Sequence, residues 1–518
     1  MARQREAGSK GVSGELCFTP AAELASRIRR RDLSPVEVVD AFLLRIEERN
    51  GEMGAYVTVI GDEAREAARE AERAVMAGEL LGPLHGVPVA IKDLFDYKRG
   101  ISNTFGSKPL AGYVPSQDAT YVERLEGAGA VILGKTNTPE FGHKGATDNL
   151  LFGPTSTPFA PGKNAGGSSG GSAAAAADGL CAIAQGTDAG GSIRIPASFC
   201  GVYGFKASFG RVPSATRPDA FLSHTPFSHS GPLSRTVEDA ALMLGAMAGP
   251  HPRDPFCLPD EGADYVAATR RPVEGMRVAY SPNFGVFPVE ERVLSVVDEA
   301  VRALEEAGAR VEEASVGFAR DQRELCELWL REVGVRSAEI VSNLKDAGVA
   351  DLLGEHRRDL TPEFAALLEM GHAMGAVEYR KDEVVRTEVF DAIQDLFDGY
   401  DLLVTPTLAV PPFDNADDGN TLGPSEVNGE EVDPLLGWCL TYPINFTGHP
   451  AASVPAGFTE DGLPVGMQVV GRRFDDGAVL AASAAFERVR PWHDSYDVPA
   501  ATAEPSEADV GADFGKVG

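Results

Sequence analysis

From Gly82 onward the chain alternates short β-branched runs with helix-patterned ones, and this alternation constrains its fold more than any other feature. "GVPVAIKD" is followed by "DATYVERLEGAGA" and then by "VILGKTN". Strands separated by helices of that length pair through crossovers, so the pattern predicts βαβ units on a largely parallel or mixed sheet. "LCAIAQG" and "MRVAYSP" read as further buried strands, and "EERVLSVVDEAVRALEEAGA" as an amphipathic helix. Residues 321–400 are helical by pattern, after which "DLLVTPT" and "PAASVPAG" return to strand. No linker interrupts residues 82–490. One continuous α/β domain is expected over 81–492, with a helical insertion at about 320–400.

The flanks differ in character. Residues 18–80 read as a helical flank: "SPVEVVDAFLLRIEERN" opens with Ser34 as N-cap, Pro35 at the first helical position and Glu37 three residues on. "GDEAREAAREAERAVMAG" reads as a solvated surface helix with charges four residues apart. Residues 1–17 form an N-terminal tail, and 493–518 a C-terminal one. The latter is polar and acidic from about residue 500, a composition that predicts disorder.

Composition narrows the function. The formal charge is −30, which repels phosphate backbones and anionic lipid, so neither nucleic acid nor membrane is expected as a partner. No apolar run approaches the roughly 18 residues that a spanning helix needs. The N-terminal stretch has no apolar segment of the secretory kind. Six cysteines stand without a C-x-x-C pair, which argues against zinc ribbons, redox motifs and disulfide scaffolds. These features predict a cytoplasmic protein with buried thiols.

The stretch "KNAGGSSGGSAAAAADGLCAIAQGTDAGGSIRIPASF", Lys163 to Phe199, carries two glycine-serine clusters. As flexible linkers they would be two hinges. A P-loop fails because no lysine follows the first cluster. "GGSSG" and "GSSGG" both satisfy G-x-S-x-G, but the preceding "TPFAPGKN" is a poor strand, and that motif needs one. The second cluster has a better context. "LCAIAQG" supplies a strand, "TDAGG" a turn, and "SIRIPASF" a helix from Ser192. A serine there is exposed at a strand-to-helix switch, where the N–H groups from Ala189 to Ser192 can converge on one oxygen.

A nucleophilic serine needs a base. None of the nine histidines is singled out by spacing, although His85 and His449 each stand beside a glycine. Lys92 ends the apolar run of "GVPVAIKD". It is either a strand-end residue whose amine reaches water or a buried base with a depressed pKa.

Three elements taken together, "GVPVAIKD", "GGSSGGSAAAAA" and "GTDAGGSIRIPASFCGVYGFK", resemble the amidase signature family. "VTPTLAVPP", "NFTGHPAASVPAGF" and "GLPVGMQVVGRRFDD" extend the resemblance, which spans roughly residues 18–491. It implies a single large α/β domain whose mixed, twisted β-sheet is covered by helices on both faces. It also implies hydrolysis of linear amide C–N bonds on a small-molecule amide; no residue spacing in the sequence suggests a cofactor or a metal site. By motif position Ser192 is the nucleophile, Lys92 the base, and Ser168, 24 residues before Ser192, the bridging serine after a cis peptide. The amides of Ala189, Gly190, Gly191 and Ser192 correspond to the oxyanion hole, with Ser169, Asp188 and Arg194 in support.

Pocket walls in this family come from variable segments, here Phe221 to Ser230, Glu324 to Met374 and Trp438 to Asn445. Phe227, Trp438 and Tyr442 are the expected pocket aromatics. The A-type component of a tRNA-dependent amidotransferase, with glutaminase activity, is the alternative. "SIRIPASF" lacks the glutamine that follows the arginine in that component, and "SHTPFSHSGPLSRT" lacks its "SLDQIGP"-like stretch. Both departures favour a stand-alone amidase. A homodimer is left open.

Overall fold

The structure, a computed structural model, describes residues 15–496. The two terminal tails assigned from sequence fall mostly outside those residues. The chain begins with α1 (Ala21–Arg29) and α2 (Pro35–Met53), and the Ser34 hydroxyl accepts the N–H groups of Val36 and Glu37 at 3.1 and 3.4 Å. That cap is the one its sequence predicts. The flank is not purely helical, however. Tyr56–Val59 forms β1 before α3 (Gly61–Ala77), and four residues are too few to show a strand period in sequence. The Asn50 side chain bridges the Tyr56 N–H and C=O, at 2.7 and 3.0 Å, and so sets the strand's entry.

The remaining strands of the main sheet are β2 (Pro88–Lys92), β3 (Val131–Thr136), β4 (Ile183–Asp188), β5 (Tyr203–Lys206), β6 (His229–Ser234), β7 (Arg277–Tyr280), β8 (Arg310–Glu313), β9 (Leu402–Pro406), β10 (Ala451–Phe458) and β11 (Pro464–Gly471). They join in the order β1-β3-β2-β4-β6-β5-β10-β11-β9-β7-β8, making one 11-stranded sheet. Pairing is parallel for β2 with β3 and with β4, and antiparallel for β4 with β6. The sheet is therefore mixed, as expected. Every residue of β2, β3 and β6 is buried, a pattern that requires helices on both faces.

Those helices include α4 (Thr120–Gly127), α5 (Gly170–Ala177), α6 (Arg194–Phe199), α7 (Val237–Met247) and α8 (Glu291–Glu306). Then come α9 (Gln322–Asp346), α10 (Pro362–Ala373) and α11 (Ala376–Phe397), followed by α12 (Pro443–Thr447) and α13 (Asp476–Val489). The alanine run is α5, buried along its whole length. Its glycines are needed for close approach, since a Cβ on Gly171 would meet the Asn137 nitrogen at 2.3 Å. Helix α6 starts at Arg194, two residues after the sequence-based start at Ser192. The cause is Asp188, whose carboxylate accepts the N–H groups of Gly191 and Ile193 and holds that segment as a turn.

Candidate active site

Lys92 is the last residue of β2, an interior strand between β3 and β4, and is fully buried. Its Nζ lies 2.6 Å from Ser168 Oγ and 3.0 Å from Thr187 Oγ1. Burial pushes its pKa down to about 7, with Asp96 and Asp188 pulling only partly the other way. No carboxylate forms an ion pair with it among the described residues. The amine is poised to exchange a proton near neutrality.

Ser168 sits at the start of the turn into α5, and the Gly167–Ser168 peptide is cis. Ser168 and the half-buried Ser192 line one cavity, together with Thr187, Ala189 and His229. Their hydroxyls are not hydrogen-bonded to each other. Such contacts in free enzymes are often loose until substrate binds.

The segment from Ala189 to Ser192 is oriented through its carbonyl groups. Asn445 Nδ2 donates to the Asp188 carbonyl at 3.1 Å, Trp329 Nε1 to that of Ala189 at 2.9 Å, and Thr441 Oγ1 to that of Gly190 at 2.6 Å. The Ile195 N–H donates to the Gly191 carbonyl at 2.6 Å. In a planar trans peptide the following N–H points opposite to the carbonyl, so each anchored oxygen turns the next amide away from its anchor. Among the described residues the amides of Ala189, Gly190 and Ser192 meet no acceptor. That of Gly191 does, at 2.9 Å from Asp188 Oδ1. Three unpartnered donors remain, one fewer than the four named from sequence.

Both glycines of this turn are sterically required. A Cβ on Gly190 would lie 2.6 Å from Trp329 Nε1, and one on Gly191, at φ +125°, would lie 2.0 Å from Thr441 Oγ1. Either side chain would displace an anchor. Around the turn, Ser169 N–H donates to the Ser192 carbonyl at 3.2 Å, and the Ser169 hydroxyl exchanges bonds with the Thr187 backbone. Arg194, fully buried, donates to both oxygens of Asp188, at 2.9 and 3.0 Å, and also to Asn445, Gln468 and the Thr441 carbonyl. Burial opposes the charge on Asp188, but Arg194 outweighs it and holds the carboxyl well below the usual range.

The expected pocket aromatics lie elsewhere. Trp438 is buried between Phe199 and Phe413, Tyr442 packs on Phe287 with its hydroxyl on the Gln322 carbonyl, and Phe227 stacks on Phe209. None of the three lines the cavity. The three variable segments do reach the site, but through other side chains: Leu222 and His229 from the first, Trp329 and Arg336 from the second, Thr441 and Asn445 from the third. Trp438 and Tyr442 face the core, where large apolar surface is better buried, whereas Phe227 is half-buried with the Arg386 guanidinium over its ring.

His229 went unmarked in the sequence. Its Nδ1 lies 3.1 Å from the Asp188 carbonyl, while Nε2 is buried without a partner among the described residues. Burial holds the ring neutral. His85 and His449 instead bond away from the cavity, to the Ala71 carbonyl and to Thr447 and Gln394.

Comparison with known proteins identifies the family. The amidase family profile, described as "Amidase", matches residues 37–480. An acylamidase of Rhodococcus erythropolis is 39% identical over 485 residues, covering 92% of this chain and 97% of that one. The A-type component of the glutamyl-tRNA(Gln) amidotransferase of Carboxydothermus hydrogenoformans is 36% identical over 499 residues, covering 92% and 99%. The crystal structure of a bacterial aryl acylamidase of the amidase signature enzymes superposes with a TM-score of 0.91 at 43% identity, covering 93% of this chain and 99% of the other. With a profile match over most of its length and relatives above 30% identity across nearly all of it, the chain belongs to the amidase signature family, as a hydrolase acting on amides.

Proposed function

We propose that this enzyme hydrolyses a small carboxylic amide to acid and amine or ammonia through Lys92, Ser168 and Ser192. The observation that carries this reading is the buried Lys92 amine, 2.6 Å from Ser168 Oγ and brought to a pKa of about 7 by burial. Neutral Lys92 takes the Ser168 proton as Ser168 takes that of Ser192. Ser192 Oγ then bonds to the amide carbon, and the carbonyl π pair moves onto oxygen. The N–H groups of Ala189, Gly190 and Ser192 receive that oxyanion. On collapse the C–N bond breaks, and the proton returns through Ser168 to the leaving nitrogen. Water repeats the sequence on the acyl-enzyme, releasing the acid and restoring Ser192.

Greater likeness to the acylamidases than to the amidotransferase component supports a stand-alone enzyme, as do the departures at "SIRIPASF" and "SHTPFSHSGPLSRT". Free thiols at all six cysteines fit a cytoplasmic site of action. A fluorophosphonate probe tests the nucleophile directly. Ser192 should be labelled in the wild type, and Ser192→Ala should lose labelling together with about 10⁴-fold or more of kcat. Amide turnover that survives Ser192→Ala would sink the assignment. The 36% identity to an amidotransferase component keeps one second reading in view, and glutaminase activity dependent on a co-purifying partner would favour it.

A further inference from the structure

One face of α9 walls the cavity: Trp329, Val333, Arg336, Ser337 and Ile340, spaced as a single helical stripe. Trp329 anchors the near end at the Ala189 carbonyl. Arg336 lies two turns further on, roughly 10 Å along the axis. Its guanidinium has no carboxylate partner among the described residues. Nε is buried with nothing there to bond, and the one hydrogen bond from the group is long, from Nη2 to Ser228 Oγ at 3.4 Å. Arg331 on the same helix shows the usual arrangement, held by Asp382 at 2.9 Å. Burial pushes Arg336 down to about 10, and the pull of Glu339 and Tyr379 does not offset it. Glu339 is exposed and turned toward Asp219.

The rest of the lining sharpens the point. Among the described residues no aspartate, glutamate or lysine lines the cavity, and His229 is held neutral, so Arg336 is its one formal charge, in a chain whose net charge is −30. Apolar side chains of Leu94, Phe141, Leu222 and Val333 form much of the remaining wall. A ligand matched to this cavity has a carbonyl at Ser192, an apolar middle and an anionic acceptor at its far end. A planar guanidinium with free donors fits a carboxylate, which it can bind with two parallel hydrogen bonds.

We infer that the substrate is an amide that carries a carboxylate, bound by Arg336 at the end of the cavity away from Ser192. This rests on the amidase reading above and deepens it. The carboxylate belongs either to the acyl part or to the leaving amine, and two substrate pairs separate these sources. Adipic acid mono-anilide against hexananilide places the charge on the acyl side. 4-Acetamidobenzoate against acetanilide places it on the amine.

In one of the pairs the carboxylate member should be favoured about tenfold or more in kcat/KM, chiefly through KM. Arg336→Gln should bring that ratio close to one, and Arg336→Lys should keep part of it. Fluorophosphonate labelling of Ser192 in each variant establishes that the site is folded. Equal rates within both pairs, or a preference that survives Arg336→Gln, would overturn the inference while leaving the amidase reading intact. Absence of labelling in the wild type would instead overturn the amidase reading, and the inference with it.

Discussion

A lysine amine buried at the end of an interior strand without a carboxylate partner is costly to the fold while it is charged, and useful to the site once it is neutral. Both consequences can be read in pH. The rate should rise with pH through about 7 and then level, as Lys92 loses its proton; kcat/KM profiles of the free enzyme check this. The stability effect has the same cause. Lys92 has a folded pKa of about 7, below its value near 10.4 in an unfolded chain, so between those limits the unfolded chain binds the extra proton and stability from this group rises with pH. Lys92→Met removes the buried charge, so its Tm relative to wild type should be highest below pH 7 and fall as pH rises toward 10. Calorimetry across that range measures the difference. A flat difference would mean that Lys92 titrates like an exposed lysine.

At the scale of the element, α9 supplies both the anchor for the Ser192 turn and the far wall of the cavity. Its Asp321–Glu324 capping box fixes where the helix begins, and Trp329 stands two turns inside. Trp329→Phe keeps an aromatic ring at this position but removes the indole N–H, and with it the hydrogen bond to the Ala189 carbonyl, together with part of the ring that packs on Gly190. The Gly190 amide then loses its fixed direction. This variant should lower kcat about tenfold, more than it raises KM through the enlarged cavity wall, and steady-state kinetics on any hydrolysed anilide would show it. Legibility of the site divides along the same line. Ser168, Ser192 and Lys92 stand in short stretches whose glycines, alanines and β-branched runs announce local geometry. The alternation after Gly82 likewise predicts the α/β sheet. Trp329, Thr441 and Asn445 carry no such signal, because each acts on residues well over a hundred positions away, where no local period or turn rule operates. Choosing Phe227, Trp438 and Tyr442 for the pocket fails for a related reason, since an aromatic residue fits core and cavity equally well until neighbours decide.

For the molecule as a whole, 77 acidic residues against 47 basic ones set up a general repulsion that the compact state must bear. Tm should therefore rise as sodium chloride is increased from 20 mM to 0.5 M, where the screening length falls to a few ångströms; thermal scans check this, and a falling Tm would point to surface ion pairs as the larger effect. The sheet is also assembled out of chain order. β10 and β11, from the last quarter of the described chain, are inserted between β5 and β9. This order bears on the pinned carbonyls around Ser192. Lys92, Ser168 and Ser192 have all been synthesised when barely two fifths of the chain exists, yet the side chains that orient the Ser192 turn follow at positions 329, 441 and 445. A chain still emerging from the ribosome therefore carries its reactive groups without the frame that aims them. On the proposed reading, hydrolysis would begin only once positions 329, 441 and 445 have been made and folded into place.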